Sequence, residues 1–129
     1  MIDQAVKIAM KKNVPVVDAE DNVSKAISEM IKNKIKTVFV VENGEYIGAI
    51  NAYHIIGTHV DPANTKARTI IRKPPTLTET TIIRHAVHEF MDTEYDVLPV
   101  VEGNQLVGCI FFRDVLKEVP SDLKVGDIM

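Results

Sequence analysis

The sequence predicts an α+β fold made of two β-α-β-β-α units that pack as a pseudo-twofold pair. Two observations predict this fold. The chain repeats itself at a shift of 60 residues, so that residues 15–56 lie on residues 75–116 without a gap. Each copy also shows the same succession of strand and helix patterns. Because a unit of about 60 residues buries little apolar surface by itself, we expect the two copies to cover each other.

Identical residues at turns and in apolar runs define the repeat. Each copy has a proline near its first strand and a glycine in its last strand. Where residues differ, the apolar class is kept, as in Val23 with Ile83 and Met30 with Phe90. Chance is therefore a poor explanation. The identical pairs are Pro15 and Pro75, Ala26 and Ala86, Glu29 and Glu89, Val40 and Val100, Val41 and Val101, Glu42 and Glu102, Gly48 and Gly108, and Ile50 and Ile110.

Each copy contains the same ordered series of predicted strands and helices. In the first copy a strand at 14–17 leads into a polar bend, where Asp21 or Asn22 can cap a helix. Apolar residues at three- and four-residue spacing then predict one face of an amphipathic helix. In the two copies these are Val23, Ala26, Ile27, Met30 and Ile31, and Ile83, Ala86, Val87, Phe90 and Met91.

Two strands and a short helix complete each copy. The strands are separated by residues 43–44, which read NG, and by residues 103–104, which read GN. These pairs predict tight hairpin turns, because glycine and asparagine tolerate positive φ. The closing helices are predicted at 52–56 and 112–118. We place the first domain at 1–60, the second at 61–120 and a tail at 121–129.

The composition is that of a soluble globular protein. Of the 129 residues, 46% are hydrophobic and 26% are charged. The net charge of −3 gives no bulk attraction to polyphosphate, so a nucleic-acid partner is not expected. The single cysteine, Cys109, cannot form an intrachain disulfide, which favours a reducing compartment. No apolar run reaches the ~20 residues that span a bilayer. We therefore expect a cytoplasmic protein with no membrane contact.

The second copy resembles a cystathionine-β-synthase (CBS) domain. Residues 98–103 read LPVVEG, residues 108–110 read GCI, and Asp114 follows. The family pattern is similar: LPVVD, a hairpin, glycine, two apolar residues, serine or threonine, two variable residues and aspartate. The resemblance covers nearly the whole chain and implies a tandem CBS pair, a Bateman-type module. The tail at 123–129 resembles the start of a further CBS copy; a short terminal helix is the alternative.

The resemblance also implies a ligand site. In the family, the closing aspartate holds the ribose hydroxyls of an adenosine ligand, and the serine or threonine helps to hold phosphate. The second copy keeps Asp114 but has Phe111 in the hydroxyl position. This departure favours AMP or S-adenosylmethionine over ATP, with the Phe111 ring as a stacking face. By resemblance, the site comprises Val14, Pro15, Ile35, Lys36, Asp96, Cys109, Phe111, Arg113 and Asp114.

A second cleft departs further from the family pattern. The first copy has Asn51 in the hydroxyl position and His54 in place of the aspartate. By resemblance, this cleft comprises Asn51, Tyr53, His54, Arg72 and Pro75, and it is degenerate or takes another ligand.

These observations favour a regulatory sensor over an enzyme. The sequence shows no activated nucleophile, paired catalytic carboxylates or glycine-rich phosphate loop, so we expect neither catalysis nor a required cofactor. His85, His88 and Glu89 lie opposite the apolar helix face, and no metal site is expected. The resemblance implies a homodimer and an effector, fused or separate, that reads the ligand state. A structural dimerisation module with degenerate clefts is the alternative.

Overall fold

The computed structural model describes residues 3–119, which form two compact units. One unit holds residues 14–74. The other joins residues 75–119 to residues 3–13, so the leading segment of the chain packs with the second repeat. Both units contain strands and helices, which confirms the predicted α+β class. No helix among the described residues is long and apolar enough to cross a membrane.

The unit of residues 14–74 follows the predicted β-α-β-β-α order. Strand β2 lies between the other two strands, with β1 parallel and β3 antiparallel to it. The amphipathic helix and the short closing helix follow their strands as the sequence predicts. The elements are β1 (Val16–Asp18), α1 (Val23–Asn33), β2 (Thr37–Glu42), β3 (Glu45–Asn51) and α2 (Ala52–Thr58).

The second unit repeats this topology with fewer regular strands. An isolated parallel bridge between Leu77 and Val100 takes the place of β1. The antiparallel pair β4 and β5 follows the longer helix, as in the first unit. The elements are α3 (Ile83–Met91), β4 (Val97–Glu102), β5 (Gln105–Phe111) and α4 (Phe112–Leu116).

Four predicted boundaries are wrong. Strand β1 ends at Asp18 and not at 17, and helix α2 ends at Thr58 and not at 56. The first strand begins at Val16 and not at 14, and the Pro15 carbonyl accepts a hydrogen bond from the backbone N–H of Phe39 at 3.1 Å. A proline has no N–H to give to the sheet, so pairing starts after it. Helix α4 ends at Leu116 and not at 118, because the N–H of Glu118 donates to the carbonyl of Val115 in a tighter turn.

The two predicted hairpin turns are confirmed. Glu42 pairs with Glu45, and both intervening residues have positive φ, at 53° for Asn43 and 80° for Gly44. That combination is typical of a type I′ turn. In the second hairpin Gly103 has a φ of 61°. The register of both hairpins shifts at the same repeat position, after Val40 and after Val100.

A segment that precedes each repeat in the sequence extends the sheet of the other. The N–H of Lys11 donates to the carbonyl of Cys109 at 2.8 Å, and the N–H of Cys109 donates back at 2.9 Å. Arg72 and Ala49 exchange the same two hydrogen bonds. A Cβ at Gly108 would lie 2.7 Å from the Lys11 carbonyl oxygen. The repeated glycine is therefore required by a close backbone approach.

The same segments also complete the two cores. Val6 is fully buried among the apolar residues of the second repeat, and Ala67 is fully buried among those of the first. The N–H of Val6 donates to the carbonyl of Thr81 at 2.7 Å, and the N–H of Ala67 donates to that of Asp21 at 2.7 Å. Each unit thus takes part of its core and of its sheet from a stretch outside its hairpin.

The predicted side-chain cap of the first helix is wrong. Asn22 occupies the position before α1, but its side chain makes no capping hydrogen bond. The carboxylate of Asp21 accepts from the N–H of Asp18 instead. The first N–H groups of the helix donate to backbone carbonyls of Thr65 and Pro62. A neighbouring segment therefore satisfies donors that a capping side chain usually satisfies.

The predicted apolar faces are buried, or half-buried at Ile27, except at one residue in each helix. Val23, Ala26 and Met30 of α1 are buried, as are four residues of α3. Ile31, however, is 73% exposed, and its counterpart Met91 is 45% exposed. Each lies at the edge of its apolar stripe, so the core of its own unit does not cover it.

We predict that Gly108→Ala destabilises the protein by about 1–3 kcal/mol, because the added Cβ displaces the Lys11 backbone. Urea unfolding followed by circular dichroism measures this change. In α2, a Cβ added at Gly57 would meet no atom within 4 Å, and the φ of Gly57 is not in the left-handed region. Gly57→Ala should therefore be neutral or stabilising by up to ~1 kcal/mol. Equal stability of the two variants would show that the close approach is unimportant.

Candidate functional site

The carboxyl end of β5 and the start of β4 meet where α4 begins. Val97 pairs with Phe111 in the antiparallel register. The N–H of Phe112 donates to the backbone carbonyl of Asp96 at 2.9 Å. These contacts bring the predicted residues Asp96, Phe111, Arg113 and Asp114 to one end of the hairpin. We call these four residues the Asp114 cluster.

Asp114 is a buried carboxylate with incomplete hydrogen bonding. Its side chain is 10% exposed, and Oδ1 lies 3.3 Å from Nζ of Lys117. Oδ2 is buried and has no hydrogen-bond partner within residues 3–119. A buried polar atom without a partner is costly, and native proteins keep few of them. The carboxylate therefore retains acceptor capacity that the described part of the chain does not use.

Arg113 covers the ring of Phe111. The guanidinium carbon lies 4.4 Å from the ring centroid, a cation–π contact. The ring itself is 8% exposed. The sequence offered this ring as a stacking face for a ligand, and the structure places the guanidinium against it. Arg113 is thus engaged with Phe111, and it is the sequence neighbour of Asp114 in α4.

Cys109 is buried within strand β5. It pairs with Pro99 on one side and with Lys11 on the other. Burial, with a smaller contribution from the charge of Asp114, raises the pKa of the thiol from its usual 9.0 to about 12, against smaller opposing effects of Lys11 and Arg113. At neutral pH the side chain is an uncharged thiol that packs as a small apolar group.

The other residues predicted for this site belong to the unit of residues 14–74. Val14 and Pro15 are half-buried, and Ile35 donates its N–H to the carbonyl of Met30. Lys36 is exposed, with Nζ 3.4 Å from the hydroxyl oxygen of Tyr53 and 5.6 Å from the centroid of its ring. Within its own unit, Lys36 thus occupies the place that Asp96 has in the second repeat.

The second predicted set is partly engaged in local structure. Asn51 donates from Nδ2 to Oγ1 of Thr37 at 2.9 Å, and its Oδ1 accepts from the N–H of Tyr53, which caps α2. His54 is half-buried in the first turn of α2, and the exposed Arg72 pairs through its backbone with Ala49. Pro75 is half-buried and belongs to the other unit.

Sequence reasoning missed two residues of these sites. Lys117 approaches Asp114, and the signal was their spacing of three residues on a helix. Thr37 binds Asn51 across the hairpin, where the second repeat has Val97 and Phe111. The sequence could have predicted this contact, because two polar residues stand at paired strand positions where the other repeat has two apolar residues.

His85 pairs with a carboxylate of its own helix. Its Nε2 lies 3.3 Å from Oε1 of Glu89, one turn further along α3. Within the described residues, no group of three or more histidine, cysteine, aspartate or glutamate side chains is placed to hold a metal ion.

We predict that Cys109 reacts with iodoacetamide at pH 8 at least ~100-fold more slowly in the folded protein than in urea. Burial and the raised pKa both lower the concentration of accessible thiolate. Because folding raises this pKa, the uncharged thiol makes its whole contribution to the free energy of unfolding below pH ~9. That contribution is lost as the pH rises towards 12. Equal labelling rates in the two states would contradict the burial.

The CBS domain model matches this chain twice, over residues 5–60 and 67–121. No curated protein sequence matches it significantly. Its tail at 123–129, where the start of a further copy was predicted, lies outside the described residues.

Solved structures share the fold at low sequence identity. Hypoxic Response Protein I, solved with two coordinated zinc ions, is 16% identical with a TM-score of 0.80, over 91% of this chain and 100% of that one. A conserved CBS domain protein of Thermoplasma acidophilum is 20% identical with a TM-score of 0.80, over 97% and 72%.

A third structure is that of a protein from Methanocaldococcus jannaschii, which has been proposed as an archaeal homologue of γ-AMPK. It is 20% identical with a TM-score of 0.82, over 90% of this chain and 48% of that one. These likenesses agree with the two family matches, which together span most of the sequence. This chain therefore belongs to the CBS domain family and carries two CBS domains in tandem.

Proposed function

We propose that this CBS pair is a regulatory module that binds an adenosine-type ligand through the Asp114 cluster. The observation that carries the proposal is the buried Asp114 carboxylate, whose Oδ2 has no partner in the described chain. A ribose cis-diol has two O–H donors on adjacent carbons, which suits the two oxygens of one carboxylate. Binding would satisfy an acceptor that folding leaves unsatisfied.

The charge next to Asp114 suits a ligand with a single phosphate. Arg113 precedes Asp114 in the chain and holds its guanidinium over the Phe111 ring, and the resemblance assigns Lys36 to the same site. Phe111 replaces the family's hydroxyl group, so one phosphate contact is lost. The cluster therefore favours AMP, or a phosphate-free adenosine such as S-adenosylmethionine, over ATP.

The corresponding position of the first repeat does not offer the same chemistry. His54 stands where the second repeat has Asp114, and an imidazole cannot accept from two hydroxyls at once. The amide of Asn51 is already bound to Thr37 and to the N–H of Tyr53. We therefore propose one adenosine site per chain, with the second position degenerate or adapted to another ligand.

Regulation follows if the ligand prefers one conformation of the module. A ligand shifts a conformational equilibrium only by the difference between its affinities for the two states. We propose that a partner protein or a fused domain reads this shift, in a module that acts as a sensor and not as an enzyme.

We predict that one adenosine compound raises the melting temperature in a thermal-shift panel of ATP, ADP, AMP, S-adenosylmethionine, methylthioadenosine and NADH. A ligand at ~100 times its dissociation constant adds about 2.7 kcal/mol, or about 10 °C for a domain of this size. Asp114→Asn should reduce this shift to about 3 °C or less, because the compound then binds at least ~30-fold more weakly. Asp61→Asn, an exposed change that keeps the local turn acceptor, should not.

Without ligand, Asp114→Asn should change the free energy of unfolding by less than ~1 kcal/mol. The substitution removes the ion pair with Lys117, and water screens that pair because the lysine side chain is exposed. An unchanged ligand response in this variant would contradict the site. A panel with no response at millimolar ligand would favour the alternative, an interaction module with degenerate clefts.

Removing the ribose hydroxyls separates Asp114 from the rest of the site. We predict that 2′,3′-dideoxy-AMP binds wild-type protein at least ~30-fold more weakly than AMP by calorimetry, because two charge-assisted hydrogen bonds are lost. In Asp114→Asn the two nucleotides should differ by less than threefold. A large difference that persists in the variant would place the diol elsewhere.

A further inference from the structure

Two segments of the chain cover the last strands of the repeats in the same way. We call residues 3–13 the leading strap and residues 62–72 the linking strap. Each exchanges two backbone hydrogen bonds with the last strand of a repeat, the leading strap at Cys109 and the linking strap at Ala49. Because Cys109 and Ala49 stand 60 residues apart, they are equivalent positions of the repeat. The two straps can therefore be compared contact by contact.

Ion pairs hold the linking strap to the first repeat. The carboxylate of Glu20 accepts hydrogen bonds from Nζ of Lys66 and from Nε of Arg68, both at 2.7 Å. The hydrogen bond from Lys66, and then that from Arg68, hold the pKa of Glu20 below its usual value. Arg68 also pairs with the carboxylate of Glu42. The strap further buries Ile70 in the core of the first repeat, so charge and apolar burial both fasten it.

The leading strap lacks these ion pairs. When the straps are aligned on the bridges that they make to their repeats, Ala5 takes the place of the linking-strap lysine and Lys7 that of the arginine. The second repeat has Thr80 in place of the glutamate. Among residues 3–119, Lys7 forms no ion pair, and Asp3 lies 3.5 Å from Arg84 with 81% of its side chain exposed. Such a pair is screened by water and adds little to the attachment.

Apolar burial holds the leading strap at one residue. Val6 is fully buried in the core of the second repeat, whereas Ala9 and Met10 are only partly buried against it. Segments with few buried apolar contacts open at a lower free energy than the whole protein. The leading strap is therefore the weaker attachment of the two.

We infer that the leading strap releases from β5 as a unit while the rest of the chain stays folded, and that its release loosens the Asp114 cluster. Release breaks the two hydrogen bonds at Cys109 and leaves β5 paired with β4 alone. Phe111 ends that strand, and α4 with Asp114 begins directly after it. Because a strand held on one side opens more readily than a strand held on both, the end that carries the cluster loses order.

A releasable strap gives the module a two-state element next to its candidate site. A ligand that binds only the ordered cluster favours the closed strap, and the closed strap favours that ligand by the same factor. This consequence rests on the proposed function. The release itself is a property of the ligand-free chain and is tested without ligand.

Amide hydrogen exchange of the full chain, followed by NMR, measures the release. After correction for intrinsic rates, the Cys109 amide should exchange at least ~10-fold faster than the Ala49 amide, because the linking strap has more contacts to break. The Val6 amide, which donates to the carbonyl of Thr81, should share the opening equilibrium of Cys109. A second matched pair reports on the strand ends, since both amides donate across a hairpin at equivalent positions: Phe112 to Asp96, and Ala52 to Lys36.

A weaker strap should loosen the cluster with it. Val6→Ala removes buried methyl groups from the strap, so the Cys109 and Phe112 rates should rise by one common factor of at least ~5. The Ala49 and Ala52 rates should stay unchanged, because the linking strap and the first repeat keep all their contacts.

Supplying the missing carboxylate should hold the strap closed. Thr80→Glu places a carboxylate for Lys7 at the position where the first repeat has its glutamate. The Cys109 and Phe112 rates should then fall by one common factor of about two to five, the value of an exposed ion pair. Thr80→Gln, which has nearly the same size and no charge, should leave both rates unchanged.

Three results would overturn the inference. Equal protection of Cys109 and Ala49 would show that the two straps are held equally. Exchange of Cys109 with the urea dependence of global unfolding would show that the strap does not release on its own. Cys109 and Phe112 rates that move separately in Val6→Ala, or that do not move at all, would show that the strap does not control the cluster.

Discussion

The two hydrogen bonds between the backbones of Lys11 and Cys109 fix the strand that carries the candidate site. They hold β5 on one side while β4 holds it on the other, so the end of β5 at Phe111 is set by both neighbours. Helix α4 starts at that end and presents Asp114 within its first turn. Gly108 permits this arrangement, because any larger residue would meet the Lys11 carbonyl. The site thus depends on a segment about 100 residues away in sequence.

The two repeats use one scaffold for different chemistry. At the closing turn the second repeat has a buried carboxylate with an acceptor that residues 3–119 leave unused, whereas the first has an amide engaged with Thr37 and the Tyr53 N–H. After the longer helix, the first repeat has Lys32, Lys34 and Lys36 at the positions where the second has Asp92, Glu94 and Asp96. Duplication supplies the symmetry of the backbone, and substitution then removes the symmetry of charge.

Local features were predictable from the sequence, and non-local ones were not. Turns at Asn43 and Gly103, the element order and the family resemblance follow from nearby residues and from the internal repeat. The expected cap by Asn22 failed because backbone carbonyls from Pro62 and Thr65 satisfy the first turn of α1. The burial of Val6 in the core of the second repeat was also not predictable from the sequence. Amphipathic periodicity shows that a segment has an apolar face, but it does not show which repeat that face packs against. The residues of the Asp114 cluster were predicted by resemblance. The buried, unpaired oxygen of Asp114 follows from three-dimensional packing and could not be predicted from the sequence.

The claim that Asp114 holds the ligand is tested most directly by a nitrogen–proton correlation NMR titration with AMP. The account predicts that the largest amide shifts fall on residues 111–115, with residues 51–55 of the first repeat changing little. Saturable shifts confined to residues 51–55, with residues 111–115 unaffected, would contradict the assignment and move the site to the first repeat.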